Sequence, residues 1–391
     1  MIETLNFLSD KQKEIYQKMQ GYLGLALLTY YFIAKVLERF SFTLIRPYFS
    51  WKVFTVLAVG YILLFCKFTW KSILATAVVM IISCGTGEWY NYCGFLFIII
   101  CSKVDLKKLE IIVFTILTSF IGTSALLVKL GKISSNDRLV RELRYWYVED
   151  KTSDAVKHAL GMVHPNTAGL LVAEAVLLMF MIFWTKLKWW HWGIAAGTCV
   201  FIWKYIDCRS ALILLGTSLF FMALMKIFPK MFECRPVRIV LSLSPVIMAV
   251  ISFVLAWMYD NGNELAVKIN NMSTGRVANL KNAIQSTNIT LFGYYEGYYL
   301  DNMYGWSLYV HGILFAVLIT SLYVMMLIKL FKDKNHVVAA VGIGYVCFSF
   351  FENLASNPIY NPFWWWAGAM IMVKTLSLRN SSVNKHLDIR E

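Results

Sequence analysis

The sequence predicts an all-α polytopic membrane protein with eleven to twelve transmembrane helices and two large extracytoplasmic loops. Three observations carry that expectation. The 391 residues are 59% hydrophobic and only 15% charged, with a mean hydropathy of +0.59. Apolar runs of about twenty residues recur along the chain, and each matches a hydrocarbon core of roughly 30 Å at 1.5 Å per residue. Lys and Arg are distributed unequally between alternate connections, as topology-setting charges are. Residues 1–391 therefore read as a single integral membrane domain.

Taken in order, residues 1–20 place Leu5, Leu8, Ile15 and Met19 at near-helical spacing among Lys11, Lys13 and Lys18, which fits a short interfacial helix. Apolar spans follow near 22–38, 51–66, 71–84, 92–102, 109–128, 166–185, 189–206, 209–227, 238–258, 306–330, 336–351 and 361–376, the third and fourth being short. With both termini cytoplasmic, the inner connections hold Lys67 and Lys71, Lys103, Lys107 and Lys108, Lys186 and Lys188, Lys226 to Arg238, and Lys329 to Lys334. The outer connections 85–91 and 352–360 hold no Lys or Arg; Arg39, Arg46 and Lys52 are the exceptions to the rule. The 129–165 loop, the 259–305 loop and the turn Asp207-Cys208-Arg209 then share the extracytoplasmic face. No internal repeat is visible, so an inverted-repeat transporter gains no support.

The net charge of +14 is spread among short loops. It suits anionic headgroups rather than nucleic acid, for which no motif is present. Eight cysteines form no CxxC pair, so neither a zinc site nor a disulfide framework is indicated. No DxD-like metal pair lies beside the outer loops, and no cofactor is expected.

A polar interval of almost fifty residues, 259–305, cannot lie in hydrocarbon, where unpaired backbone amides cost several kcal/mol each. Its length marks a functional loop. Ser273-Thr274-Gly275-Arg276 opens a stretch that reads as helix through Ile284, and Asp301-Asn302-Met303-Tyr304 leads back into an apolar span. Glu296, Asp301 and His311 are the groups here able to move protons, and the tyrosines suit either sugar stacking or an interfacial belt.

In the 129–165 loop, Arg138, Arg141 and Arg144 fall opposite Leu139, Val140, Leu143, Trp146 and Tyr147 on a helical wheel. Such a helix lies on the outer leaflet or gathers an anionic lipid-linked substrate. His164 precedes Pro165, Asn166 and Thr167, which suit the first turn of a helix. Its imidazole is either structural or a proton carrier at the mouth of the bundle. Arg209 either pairs with Asp207 or grips phosphate with its planar fork. Glu174, two turns into a span, is expected to face the bundle interior.

Four pieces in this order resemble the bacterial lipid-linked oligosaccharide repeat-unit polymerases (the Wzy type) and the related O-antigen ligases. They are MVHPNTAGLL at 162–171, DCRSALILL at 207–215, TGRVANLKNAI at 274–284, and LFGYYEG with LDNMYGWSLYVHGIL at 291–314. The resemblance covers the second half of the chain; Cys208-Arg209-Ser210 stands where the family has a hydroxyl before the arginine. It implies a GT-C-like membrane glycosyltransferase architecture in the bacterial cytoplasmic membrane, active on the extracytoplasmic face. It also implies metal-independent transfer between polyprenyl-diphosphate-linked oligosaccharide donor and acceptor. Membrane lipids, a flippase and a chain-length regulator are the further expected partners. On this reading His164, Glu296 and Asp301 are catalytic candidates, and Arg209, Arg276, Arg138, Arg141, Asn166, Asn302 and Tyr304 are substrate-binding candidates. A ligase with another acceptor and a flippase are the alternatives.

Overall fold

The computed structural model describes residues 9–39, 51–66, 70–136, 138–139, 156–293 and 300–370. It is helical apart from one two-residue strand pair. Helix α1, Asp10–Glu38, starts at a reciprocal cap: the Ser9 hydroxyl accepts from Gln12 N at 3.3 Å, and Gln12 Oε1 accepts from Ser9 N at 2.9 Å. From Asp10 onward the expected interfacial helix and the first span are thus one continuous helix, because no proline or second cap interrupts it; residues 1–8 lie outside the described residues.

Helices α2 (Trp51–Phe65), α3 (Trp70–Thr86), α4 (Trp89–Cys101) and α5 (Leu106–Lys129) follow. Beyond α5 come two short strands. Arg138–Leu139 (β1) pairs antiparallel with Val156–Lys157 (β2). The rest of the expected amphipathic helix falls between the two strands, within 140–155, outside the described residues. Arg141 and Arg144 lie outside the described residues.

Helix α6 (Pro165–Phe183) leads to α7 (Trp189–Phe201), which ends in a wide turn, Ile202–Ile206. Helix α8 (Arg209–Ile227) begins after two intervening residues, and α9 (Pro229–Glu233), α10 (Arg235–Ser242) and α11 (Ser244–Asp260) return the chain. The 259–305 loop is itself built from α12 (Glu264–Met272) and α13 (Arg276–Ser286). The remaining helices are α14 (Met303–Tyr309), α15 (Gly312–Lys332), α16 (His336–Phe348) and α17 (Phe363–Met370).

Among the described residues four helices are long and apolar enough to cross a membrane: α5, Pro165–Lys186, α8 and α15. The α10–α11 pair, bent by 51°, makes a fifth if it is one span. That is compatible with a membrane protein, and it is fewer than the twelve spans read from hydropathy. The physical reason is visible in α4 and α16, each of 13 residues and buried on almost every side. A helix of that length rises only about 20 Å, short of a hydrocarbon core of roughly 30 Å, and one that is apolar all round is either a core helix or a span packed inside a bundle. In sequence such a run looks like a span.

Burial also ranks the long helices. The most apolar window of α6 is 83% buried, whereas that of α5 is 17% buried, so α6 is central and α5 peripheral. Glu174, on α6, is fully buried as expected, with neither carboxylate oxygen hydrogen-bonded among the described residues. Helix α6 approaches the turn before α8 so closely that a Cβ on Gly169 would sit 2.6 Å from Cys208 Cβ. Gly169→Val is therefore expected to displace the Asp207–Arg209 turn and lower the unfolding temperature in detergent. Overpacking of this kind costs about 1–3 kcal/mol. An unchanged melting curve would show that the turn can move aside.

Candidate functional site

Helix α6 is capped by His164, whose Nδ1 accepts the Asn166 backbone N–H at 3.0 Å in extended backbone, φ −150°. The cap was expected from the Asn166 and Thr167 side chains. Because His164 takes that duty, the Asn166 amide is free to donate Nδ2–H to Glu352 Oε1 at 3.0 Å. An Nδ1 that accepts a backbone proton leaves the neutral imidazole its hydrogen on Nε2, so His164 here offers a donor and no free basic lone pair.

Two other segments reach the same carboxylate oxygen. Ser210 Oγ, at the start of α8, donates to Glu352 Oε1 at 3.0 Å, and Arg276 Nη2 donates at 2.7 Å. Arg276 stands at the first position of α13 because the preceding turn is left-handed at both Thr274 (φ +57°) and Gly275 (φ +85°). Gly275 relieves one of those two residues of any Cβ penalty. The guanidinium is then almost fully occupied: Nε donates to Phe351 O, Nη1 to Ser273 O at 2.8 Å and Thr274 Oγ1 at 3.0 Å, and Nη2 to Glu352. Four of five N–H groups are used, and the side chain is 11% exposed.

Asp301 Oδ2 lies 3.7 Å from Arg276 Nε, completing an acid–arginine–acid cluster on the loop face. Burial pushes the Glu352 carboxyl up to about 6, against the pull of Arg276 and with the push of Asp301. Burial likewise raises Asp301, opposed by Arg276. For Arg276 burial acts downward, but the two carboxylates outweigh it and hold its affinity for the proton above the usual arginine value. Between pH 4.5 and about 6 the folded state keeps a proton on Glu352 that the unfolded chain has lost. This group's contribution to stability therefore falls as pH rises through that window.

Arg209 differs from Arg276 in every respect that matters for a ligand. It is exposed, and among the described residues it makes one hydrogen bond, Nη1 to Met272 O at 3.1 Å. It does not pair with Asp207. Asp207, itself left-handed at φ +51°, is held by Lys157, whose Nζ reaches Asp207 Oδ2 at 3.1 Å and Asp207 O at 2.7 Å. Arg209 instead lines an open groove of about 500 Å³ with Lys268, Glu264, Asn271 and Met272. The two arginines meet at one turn, since Arg209 holds Met272 O and Arg276 holds the next carbonyl, Ser273 O.

Asn302 and Tyr304 are buried, at 3% and 4% exposure. Asn302 Oδ1 caps α14 through Gly305 N at 2.9 Å, while its Nδ2 donates to Phe350 O and Ser252 Oγ. The Tyr304 hydroxyl donates to Val346 O at 3.0 Å. Both groups expected to contact substrate are thus spent on docking α14 against α16 and α11. Glu296 lies outside the described residues, as does the tyrosine cluster around it. Arg138 is described only as backbone, in β1.

At the far end of α14, buried His311 places Nε2 2.9 Å from Glu88 Oε2, with Asn91 Nδ2 at 3.2 Å and the Trp306 ring edge-on at 4.0 Å between centroids. Burial lowers its proton affinity, with Glu88 pulling the other way.

Glu352 escaped the sequence reading, although it is where α6, α8 and α13 converge. One signal was present. It is the sole acid between Asp333 and Asp388, at the end of an apolar run, in a connection without Lys or Arg. An acid so placed needs a partner from elsewhere in the fold. Among the described residues no three His, Cys, Asp or Glu side chains converge as a metal-binding group.

Fold and site together define an all-helical protein with several membrane-length apolar helices and a charged cluster formed by its loop turns and helix ends. Comparison of the chain with family models finds no match, and neither curated proteins nor solved structures match it.

Proposed function

We propose that the protein is a polysaccharide polymerase. It joins polyprenyl-diphosphate-linked oligosaccharide repeat units on the outer face of the bacterial cytoplasmic membrane, in capsule, exopolysaccharide or O-antigen assembly. The observation that carries this reading is the exposed Arg209 in a groove with Lys268, one turn from the cluster that holds Asp301. Arg209 and Lys268 supply the positive charge on which a leaving diphosphate is stabilised. Asp301 takes the acceptor hydroxyl proton as general base. The acceptor oxygen then bonds to the anomeric carbon, and the bond from that carbon to the diphosphate oxygen breaks with its electron pair.

The rest of the reading joins the hydropathy and charge pattern, which give twelve spans with some shorter than the membrane is thick and both long loops outside, to the resemblance, which implies a GT-C-like architecture with a flippase and chain-length regulator as partners. Arg138 and Arg141 are further cations for gathering the lipid-linked anion. Orientation is tested by cysteine labelling on a cysteine-free background. Asn271→Cys is expected to label from outside and Lys230→Cys from inside, both positions being exposed. Outside labelling at 230 sinks the arrangement.

The activity itself is tested with purified protein in proteoliposomes and a labelled lipid-diphosphate-linked repeat unit in EDTA. A ladder of increasing repeat number is expected, since side-chain cations replace a metal. Loss of turnover in EDTA that Mg²⁺ restores removes the metal-free scheme. Transfer to a non-repeat acceptor without a ladder makes the protein a ligase, and movement of donor without a new glycosidic bond makes it a flippase.

A further inference from the structure

One wall of the groove is α12, and what that helix buries sets its register. Ala266 and Asn270 are buried, and Ile269 packs against the cluster of Leu255 and Val277. Asn270 Oδ1 also accepts the Ala278 N–H at 2.9 Å. Positions 264, 268 and 271, spaced by four and three, therefore share the opposite face. They hold Glu264, Lys268 and Asn271, all exposed and all lining the groove. Arg209 reaches the same wall from α8 through its bond to Met272 O at 3.1 Å.

The fold makes no use of the three α12 side chains, which have neither hydrogen bond nor ion pair among the described residues. Glu264 and Lys268 stand in the order that pairs on a solvated helix, yet no ion pair joins them. Nor is Glu264 needed to start α12, because Asn263 Oδ1 already accepts Leu265 N at 3.0 Å and Ala266 N at 3.3 Å. Arg209 and Lys268 suit a diphosphate, whereas a carboxylate repels one. An ionised carboxylate only accepts hydrogen bonds, so its place beside two cations calls for a ligand that carries hydroxyl donors next to its anion. At about 500 Å³ the groove has the size of a small-molecule site.

We propose that Glu264 is a specificity-determining residue. It accepts hydroxyl hydrogens from the first sugar of the donor, the one joined to the diphosphate on Arg209 and Lys268, and it selects a donor in which that sugar is uncharged. The inference rests on reading this groove as the diphosphate site. Four residues of helical rise, about 6 Å, separate Glu264 from Lys268, which suits a hydroxyl on a sugar whose phosphate sits at the lysine. Asn271, on the same face, offers both a donor and an acceptor to the same ligand. A uronic acid in that place would set a second carboxylate against Glu264, and a like-charge clash of this kind discriminates between ligands.

Binding to the purified full chain in detergent tests this with three diesters of farnesyl diphosphate: glucosyl, methyl and glucuronosyl. The glucosyl and methyl diesters carry the same charge, so a difference between them comes from the sugar and not from general attraction to cations. By titration calorimetry the wild type is expected to bind the glucosyl diester about tenfold tighter than the methyl diester, the size of one hydrogen bond to a charged group. The glucuronosyl diester is expected to bind about tenfold weaker than the glucosyl one. Glu264→Ala should bring glucosyl and methyl within about twofold, while Glu264→Gln, which keeps a carbonyl acceptor, should retain about a threefold preference. If Glu264 served only as an acid in the first turn of α12, its removal would shift the melting curve and leave the ratio unchanged. Equal binding of the glucosyl and methyl diesters by the wild type overturns the inference and leaves the diphosphate reading standing. So does a preference that survives whole in Glu264→Ala. A glucuronosyl diester bound as tightly as the glucosyl one overturns the selection for an uncharged sugar. Binding of none of the three, or binding that Arg209→Ala and Lys268→Ala leave unchanged, removes the diphosphate site itself and the inference with it.

Discussion

Arg209→Ala is expected to abolish glycan extension while the purified protein unfolds like the wild type. The side chain is exposed and holds one backbone carbonyl, so its removal falls among surface substitutions that change stability by about 0.5 kcal/mol or less. The same removal takes a free guanidinium from the groove. A charge-assisted contact is worth about 1.5–3 kcal/mol, and loss of a donor that faces developing negative charge typically costs about 10²–10³ in rate. Arg209→Lys should recover part of the activity, because an ammonium supplies charge without the bidentate fork. Turnover in proteoliposomes and thermal unfolding in detergent, on one preparation, give both halves. Full activity in Arg209→Ala would remove this groove as the diphosphate site.

Arg276→Ala should behave in the opposite way, losing the folded state before it can be assayed. Four of its N–H groups are committed, and Glu352 is buried against it. Breaking a buried pair by deleting one partner costs about 3–5 kcal/mol, because the other charge is stranded. Replacing both charges is milder, so Arg276→Met combined with Glu352→Gln is expected to recover much of the unfolding temperature that Arg276→Ala loses. Fluorescence-detected size exclusion and melting curves would read this. An Arg276→Ala protein that melts like the wild type and has no activity would make Arg276 a substrate ligand and not a structural one.

The contrast between these arginines was not legible in the sequence. Both stand in short turns beside small polar residues, Cys208-Arg209-Ser210 and Gly275-Arg276, and each read as a phosphate ligand. What separates them is the number of acceptors that the fold brings within reach: one for Arg209, four for Arg276. Asp207 misled for the same reason. Two residues from Arg209 along the chain, it is turned by its left-handed backbone onto Lys157, fifty residues away.

Local rules did carry several elements. The apolar periodicity and length of α5, α8 and α15 mark them as membrane-length helices. Pro165 begins α6, and the Ser273–Arg276 stretch opens a helix. These follow from backbone propensity and from apolar composition, which depend on neighbours in sequence alone. The burial of Glu174 likewise follows from an acid placed inside an apolar run.

Contact order sets the limit. How far a 13-residue apolar run is buried depends on what surrounds it, and α4 and α16 are buried on almost every side. The charged cluster is assembled from residues 166, 210, 276, 301 and 352. Hydropathy sees each of these as an isolated polar residue at the end of a span. By itself the sequence determined that the chain is helical, apolar and polar at its loop ends, because those properties are local. Only the tertiary structure decided which carboxylate the loops converge on and which arginine is left free, because hydrogen-bond saturation is a property of groups brought together from distant parts of the chain.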